Sequence, residues 1–163
     1  MIAIRYVKTM MIGSAALFAL LVTLNNLVDH GSNYEFVRHT LSMDTTFPGN
    51  ALMGRAITSP AIWTISYWLI ILAEALVGLS LAFGAVRLAL AINGPAAAFN
   101  AAKTLAIVGV GLGFLLWFTG FTVVGGEWFV MWQSKTWTGL EAAFRFYMTL
   151  LALGIFVNQT DKD

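Results

Sequence analysis

The chain has 163 residues, of which 59% are hydrophobic and 10% are charged, and its formal net charge is +1. Soluble domains carry about 25% charged residues, so this composition cannot cover a water-facing surface and indicates a membrane protein. The small net charge gives no basic surface of the kind that binds nucleic acid. The lack of cysteine excludes disulfides, thiolate catalysis and cysteine-ligated metals.

Four apolar segments are long enough to cross a bilayer as helices, which takes about 20 residues. The predicted spans are residues 9–28, 60–92, 99–124 and 139–158. Arg5 and Lys8 precede the first span as in a signal peptide, but no small-x-small site closes the run, so we expect it to remain uncleaved. We therefore predict an all-α fold: one polytopic transmembrane domain over residues 1–163, built as an antiparallel bundle of four transmembrane helices.

Local signals mark the ends of these spans. Ser59 and Pro60 suit a helix start, and the Asn-Gly-Pro sequence at 93–95 suits a stop. Gly125 and Gly126 predict a break after the third span, and Thr138 with Glu141 fits a capping box at the start of the fourth.

Two polar and aromatic segments, residues 29–58 and 125–137, are predicted to form outer loops that pack together as one cap. Residues 33–43 of the first loop predict a short helix with an apolar face. Orientation follows from the basic residues, which are more numerous on the side that holds both termini. We expect both termini to be cytoplasmic and the protein to lie in a bacterial inner membrane.

Glu74 is an acidic residue inside an apolar span. Counting about 14 residues from Pro60 places it roughly 21 Å along the helix, near the bilayer midplane. A charge at that depth marks either a functional site or a polar contact between helices. Arg145 is its expected partner, although a packed i,i+4 pair between Glu141 and Arg145 is favoured, with Glu74 as a third member.

The loops hold the remaining candidate residues. These are Arg38, His39, Asp44, Glu127, Trp128 and Trp132. His30, His39 and three nearby carboxylates offer donors for a divalent metal, but they match no recognised ligand spacing. We expect no metal, no cofactor and no catalytic set of the Ser/His/Asp kind.

The third span carries a stripe of small residues at helical spacing: Ala102, Ala106, Gly109 and Gly113. Small residues let helix backbones approach closely in lipid. We expect this stripe to pack inside the protein's own bundle and not to form a separate dimer face.

Two loop motifs carry a resemblance to a known family. Residues 36–50 read FVRHTLSMDTTFPGN and residues 125–134 read GGEWFVMWQS. The chain resembles, from about Arg5 to Val157, a bacterial family of predicted small integral membrane proteins with a domain of unknown function, DUF2165. The resemblance implies four membrane helices and an inner-membrane setting, and it supplies no activity or catalytic residue.

Three functions are compatible with these features of the sequence. The first is a non-enzymatic accessory or interaction subunit, with membrane lipids and either another membrane protein or a second copy as partners. The second is an ion or solute transport component that uses Glu74 and Arg145. The third is a membrane enzyme, or a quinone- or lipid-binding protein, with His39, Asp44 and Glu127 at a site in the outer loops.

Overall fold

The computed structural model describes residues 2–162, and in that range it contains helices and connecting loops but no β-strand. The α-helices are α1 (Ile2–Val28), α2 (His30–Ser42), α3 (Pro60–Ala91), α4 (Ala96–Ala102), α5 (Thr104–Phe114) and α6 (Leu140–Asn158). A π-helix, Leu115–Trp128, continues α5, and single 3-10 turns lie at Met53–Arg55 and Met131–Gln133.

Four helical segments are long and apolar enough to cross a membrane. They are Ile2–Val28, Pro60–Ala91, Ala96–Trp128 and Leu140–Asn158. The segments α1 and α3 run antiparallel, since Gly13 of α1 lies beside Ala85 of α3 while Leu20 lies beside Gly78. Contacts of the same kind make α5 antiparallel to both α3 and α6. The predicted all-α polytopic fold is therefore confirmed.

The small-residue stripe packs inside the bundle, as predicted. Ala106 is fully buried, and a side chain added at Gly84 of α3 would meet the Ala106 backbone nitrogen at 2.6 Å. A side chain added at Gly109 would meet Leu81 of α3 at 2.8 Å, and one added at Gly113 would collide with Leu150 of α6. In lipid, where burial against a neighbour brings little hydrophobic gain, such close backbone approach supplies the dispersion contacts that hold helices together.

The predicted break at Gly125 and Gly126 is wrong, because the helix continues to Trp128 in π form. The amide of Phe129 donates to the carbonyl of Val124 at 3.0 Å, which is the i+5 spacing of a π-helix. Both glycines are buried, and a side chain at Gly126 would meet Leu140 at 2.8 Å. They therefore serve close packing here and do not end the helix.

The predicted capping box at α6 does not form. Gly139 is the N-cap residue and no side chain caps the helix. The Glu141 carboxylate instead accepts a hydrogen bond from Arg145 one turn further along. Residues i and i+4 lie on the same face of a helix, so the Arg145 guanidinium is within reach of the Glu141 carboxylate.

The two outer loops pack against one another, as predicted. Thr45 donates to the Ser134 hydroxyl at 2.8 Å, and the Phe47 amide donates to the Gln133 side chain at 3.1 Å. The His39 ring stacks on Trp137 with centroids 4.6 Å apart. These contacts, with α2 lying on α3, form a cap over the end of the bundle that carries both loops.

Candidate functional site

Glu74 lies against a cavity of about 210 Å³ beneath this cap. The cavity is lined by α1, α2, α3, the π-helix and α6. Glu74 is 2% exposed, and its Oε2 accepts a hydrogen bond from the Asn26 side chain at 2.7 Å. The Tyr67 hydroxyl, on the α3 turns between Pro60 and Glu74, donates to the Asn26 carbonyl at 2.6 Å.

The cavity fixes the height of Glu74 relative to the neighbouring helices. Its partner Asn26 lies in the last turn of α1, and Ala142 and Ala143 of the same cavity lie in the first turn of α6. Glu74 therefore lies toward the capped end of α1 and α6. Its position at the bilayer midplane stays a prediction.

Arg145 does not join Glu74. It bonds to Glu141 on its own helix, and both side chains are mostly exposed, at 71% and 81%. Arg145 lines a different cavity, a lateral groove between α1 and α6, whereas Glu74 lines the cavity under the cap. The expected Glu141–Arg145 pair is thus present, but it is exposed instead of packed, and Glu74 is not its third member.

The loop candidates divide into two groups. In the first, Arg38 donates to Glu35 at 2.6 Å and to the Nε2 of His39 at 2.7 Å. The Nδ1–H of His39 then donates to Asp44 at 2.8 Å, an assignment that follows because Arg38 can only donate. His39 is thereby held rigidly in one orientation against Trp137.

The second group surrounds Arg55. Its guanidinium lies 4.6 Å from the Trp128 ring centroid and donates to the Trp128 carbonyl at 3.1 Å. Glu127 contributes its backbone carbonyl there, and its side chain is exposed. Trp132 packs edge-on against Phe47 and is half exposed. Glu127 therefore does not converge with His39 and Asp44.

The histidines form no metal centre within residues 2–162, where no group of three or more potential ligands is placed to hold an ion. His30 lies away from His39, with its ring edge-on to Tyr67 at 4.8 Å. The arrangement of Arg38, His39 and Asp44 is that of a structural hydrogen-bond chain, which fixes α2 to the loop that follows it.

Sequence reasoning missed a cluster of buried charges at the end of the bundle opposite the cap. Lys8 and Lys103 donate to the same Asp161 oxygen at 2.6 and 2.5 Å, and all three residues are at most 5% exposed. Both lysines also donate to the Gln159 carbonyl. The lysines looked like flanking charges of two spans, and only the fold brings them to the C-terminal segment.

Asp161 is ionised in this setting. Burial alone would raise its pKa, but the hydrogen bonds from Lys103 and Lys8, reinforced by their charges, hold the pKa of Asp161 below its ordinary value of 3.8. The cluster ties α1, the junction of α4 and α5 at Lys103, and the C-terminal segment together, so its evident role is to close the end of the bundle opposite the cap.

These features define a small polytopic membrane protein with a mostly apolar cavity that contains the Glu74 carboxylate under a cap, and with a charged closure at the opposite end. The family model described as a predicted small integral membrane protein, DUF2165, matches residues 4–160. The chain belongs to that family. No curated protein and no solved structure matches it.

Proposed function

We propose that this protein is a non-enzymatic interaction subunit of a membrane complex, and that it binds one transmembrane helix of another membrane protein in the groove between α1 and α6. The observation that supports this most is the exposed Arg145–Glu141 pair, which lies on a membrane-spanning helix at one end of that groove.

The groove has the size and the surface that a helix requires. Its volume is about 940 Å³. It extends on α1 from Val7 to Phe18, which is about 16 Å of helix length. Ser14 and Ala15 on one wall and Ala152 on the other are small enough for a third backbone to approach closely. Met10 is 69% exposed beside them, and methionine adapts readily to the shape of a partner.

The ion pair favours a protein partner over lipid. Lipid tails offer no hydrogen-bond donor or acceptor, so a charged pair on the lateral surface of a span gains from a partner that carries its own polar group. A helix with a carboxylate or an amide level with Arg145 would use the donors that Glu141 leaves free. The remainder of its contact face would be apolar.

The concave shape argues against a second copy as the occupant. In a two-fold symmetric contact the same surface faces itself. Two facing grooves would enclose a large void, and protein interfaces are packed as densely as protein interiors. A convex helix from a different protein fills the space without a void.

The test is photo-cross-linking in native membranes from a photoreactive amino acid at position 11, in place of Met11. Position 17 on the same helix is the matched control, because Leu17 is 59% exposed and does not line the groove. We expect position 11 alone to give one adduct, and mass spectrometry to map it to a membrane-spanning segment of another protein. The adduct should disappear when Ser14→Trp fills the groove.

Two results would overturn the proposal. One is an adduct of position 11 that has the mass of two copies of this chain. The other is cross-linking to lipid only, equally from positions 11 and 17. The chain contains no cysteine, so a Met11→Cys variant gives an independent test of the second copy by disulfide formation.

We also propose that the protein lies in a bacterial inner membrane with both termini in the cytoplasm. Lys8 and Asp161 are in contact, so the start of α1 and the end of α6 lie on the same side of the bundle. The sequence places more basic residues on that side, as the positive-inside rule requires. The orientation is tested by two fusions to the C-terminus, one with a fluorescent protein that folds in the cytoplasm and one with an enzyme that is active only in the periplasm. Only the fluorescent fusion should be active if the C-terminus is cytoplasmic.

A further inference from the structure

The cavity beside Glu74 has features that the proposed interaction does not use. Glu74 is almost completely buried, yet the only hydrogen bond to its carboxylate within residues 2–162 comes from Asn26. Burying an ionised carboxylate is strongly unfavourable unless a positive partner and further hydrogen bonds compensate it. One neutral amide does not supply that compensation.

Three arginines near this end of the bundle are engaged elsewhere, and Lys135 does not line the cavity. Arg38 bonds to Glu35, Arg145 bonds to Glu141, and Arg55 lies on Trp128. None of these three lines the cavity. Within the described part of the chain, Glu74 therefore has no basic side chain as a neighbour in its cavity.

The rest of the cavity wall is strongly aromatic. Every surrounding element except α1 contributes at least one ring, and these residues are Phe36, Tyr67, Trp117, Phe121 and Phe146. Trp117 and Phe121 come from the π-helix, a conformation that is rare and is frequently found at functional sites. The face of an aromatic ring attracts a cation, and this attraction increases when water is excluded.

We propose that this cavity binds a small organic ammonium ion, with its positive charge against the Glu74 carboxylate and its methyl or methylene groups against the aromatic rings. A carboxylate within an aromatic cage matches an ammonium group in both charge and shape. The volume of about 210 Å³ lies below the roughly 300–1,000 Å³ of ordinary small-molecule pockets, so it limits the ligand to a few non-hydrogen atoms.

An inorganic cation fits the wall less well. Hard cations such as Ca²⁺ take six or more oxygen ligands, and Mg²⁺ requires six in octahedral geometry. The oxygen-bearing side chains that line this cavity are those of Glu74, Asn26, Asn33 and Tyr67, and the Tyr67 hydroxyl is already bonded to the Asn26 carbonyl. The wall is otherwise carbon, which an organic cation covers and a hydrated metal ion does not.

The ammonium group has two possible sources, a free amine or the headgroup of a lipid. The cavity lies near the outer end of the bundle, where Asn33 and Gly139 contribute to its wall. Both sources present the same group to Glu74. The experiment therefore uses a free probe and varies the lipid.

The test is calorimetric titration of the purified protein in nanodiscs of phosphatidylglycerol alone. The probe is choline, and its uncharged isostere 3,3-dimethylbutan-1-ol is the control ligand. We expect choline to bind at least about tenfold more tightly than the isostere, since both fill the cavity and only choline carries a charge. Added phosphatidylethanolamine will weaken choline binding if a lipid headgroup is the natural occupant, and will leave it unchanged if a free amine is.

Variants separate charge from folding. Glu74→Gln keeps the side-chain size and should abolish the preference for choline, whereas Glu127→Gln, an exposed acid outside the cavity, should not change it. Thermal unfolding of both variants shows whether they are folded. The proposal is overturned if wild-type protein binds neither ligand, if it binds both equally, or if Glu74→Gln retains the preference for choline.

Discussion

Replacing Asp161 by asparagine tests the view that the charge cluster of Lys8, Lys103 and Asp161 holds the bundle closed. The substitution keeps the size of the side chain but removes the negative charge that Lys8 and Lys103 share at 2.6 and 2.5 Å. It leaves two lysines, 2% and 4% exposed, facing a neutral group. Breaking a buried pair by removing one partner costs about 3–5 kcal/mol.

The expected loss in Asp161→Asn is nearer the lower value, about 3 kcal/mol. Asparagine can still accept a hydrogen bond, and both lysines keep the Gln159 carbonyl as an acceptor. Adding Lys8→Met should recover part of the loss, because it removes one of the two cations left without a counter-charge. Recovery of this kind is the sign of coupling in a double-mutant cycle.

The assay is reversible unfolding in mixed micelles, followed by tryptophan fluorescence. Asp29→Asn is the matched control, because Asp29 is exposed. Within residues 2–162 only its backbone atoms, and not its carboxylate, make hydrogen bonds. Equal stabilities of the Asp161 and Asp29 variants would refute the reasoning. So would a double variant with Lys8→Met that is less stable than Asp161→Asn alone.

Three further predictions concern the closure, the helix contact and the cap. The pKa of Asp161 is lowered in the folded protein, so the Asp161 carboxylate stabilises the fold at neutral pH. This stabilisation should be lost as the pH falls from the ordinary pKa of 3.8 toward the lowered pKa of the folded protein. Unfolding at a series of pH values should show the loss in wild type and not in Asp161→Asn. Gly84→Ala should cost about 1–3 kcal/mol in the same unfolding assay, because the new methyl group would lie 2.6 Å from the Ala106 nitrogen. Trp137→Ala removes the ring that stacks on His39, so hydrogen exchange of α2 should accelerate while that of α3 stays unchanged.

Sequence reasoning predicted most of the fold because apolar length is a direct signal. A span needs about 20 apolar residues, and four such segments are plain in this sequence. The stripe of Ala106 and Gly109 likewise predicted close helix packing, since spacing on one helix shows which residues share a face. Gly125 and Gly126 misled, because a glycine that permits close packing looks the same in sequence as a glycine that ends a helix.

The partners in the candidate sites could not be predicted in the same way. Glu74 was recognisable, because a charge in an apolar run is costly wherever it lies. Its hydrogen-bond partner Asn26 is 48 residues away, and Lys8 is 153 residues from Asp161. Nothing local in the sequence encodes such pairs, and they follow only from which helices are neighbours and at what height.

The interaction proposal is tested most directly by the mass of the particle that the protein forms in its native membrane. Extraction with a membrane-solubilising polymer, without detergent, is followed by native mass spectrometry of wild type, Ser14→Trp and Leu17→Trp, which gives the mass of each subunit released from the particle. We predict that wild type and Leu17→Trp give a particle that contains a second kind of subunit, and that Ser14→Trp loses it. A particle that contains only copies of this chain in all three samples would contradict the account.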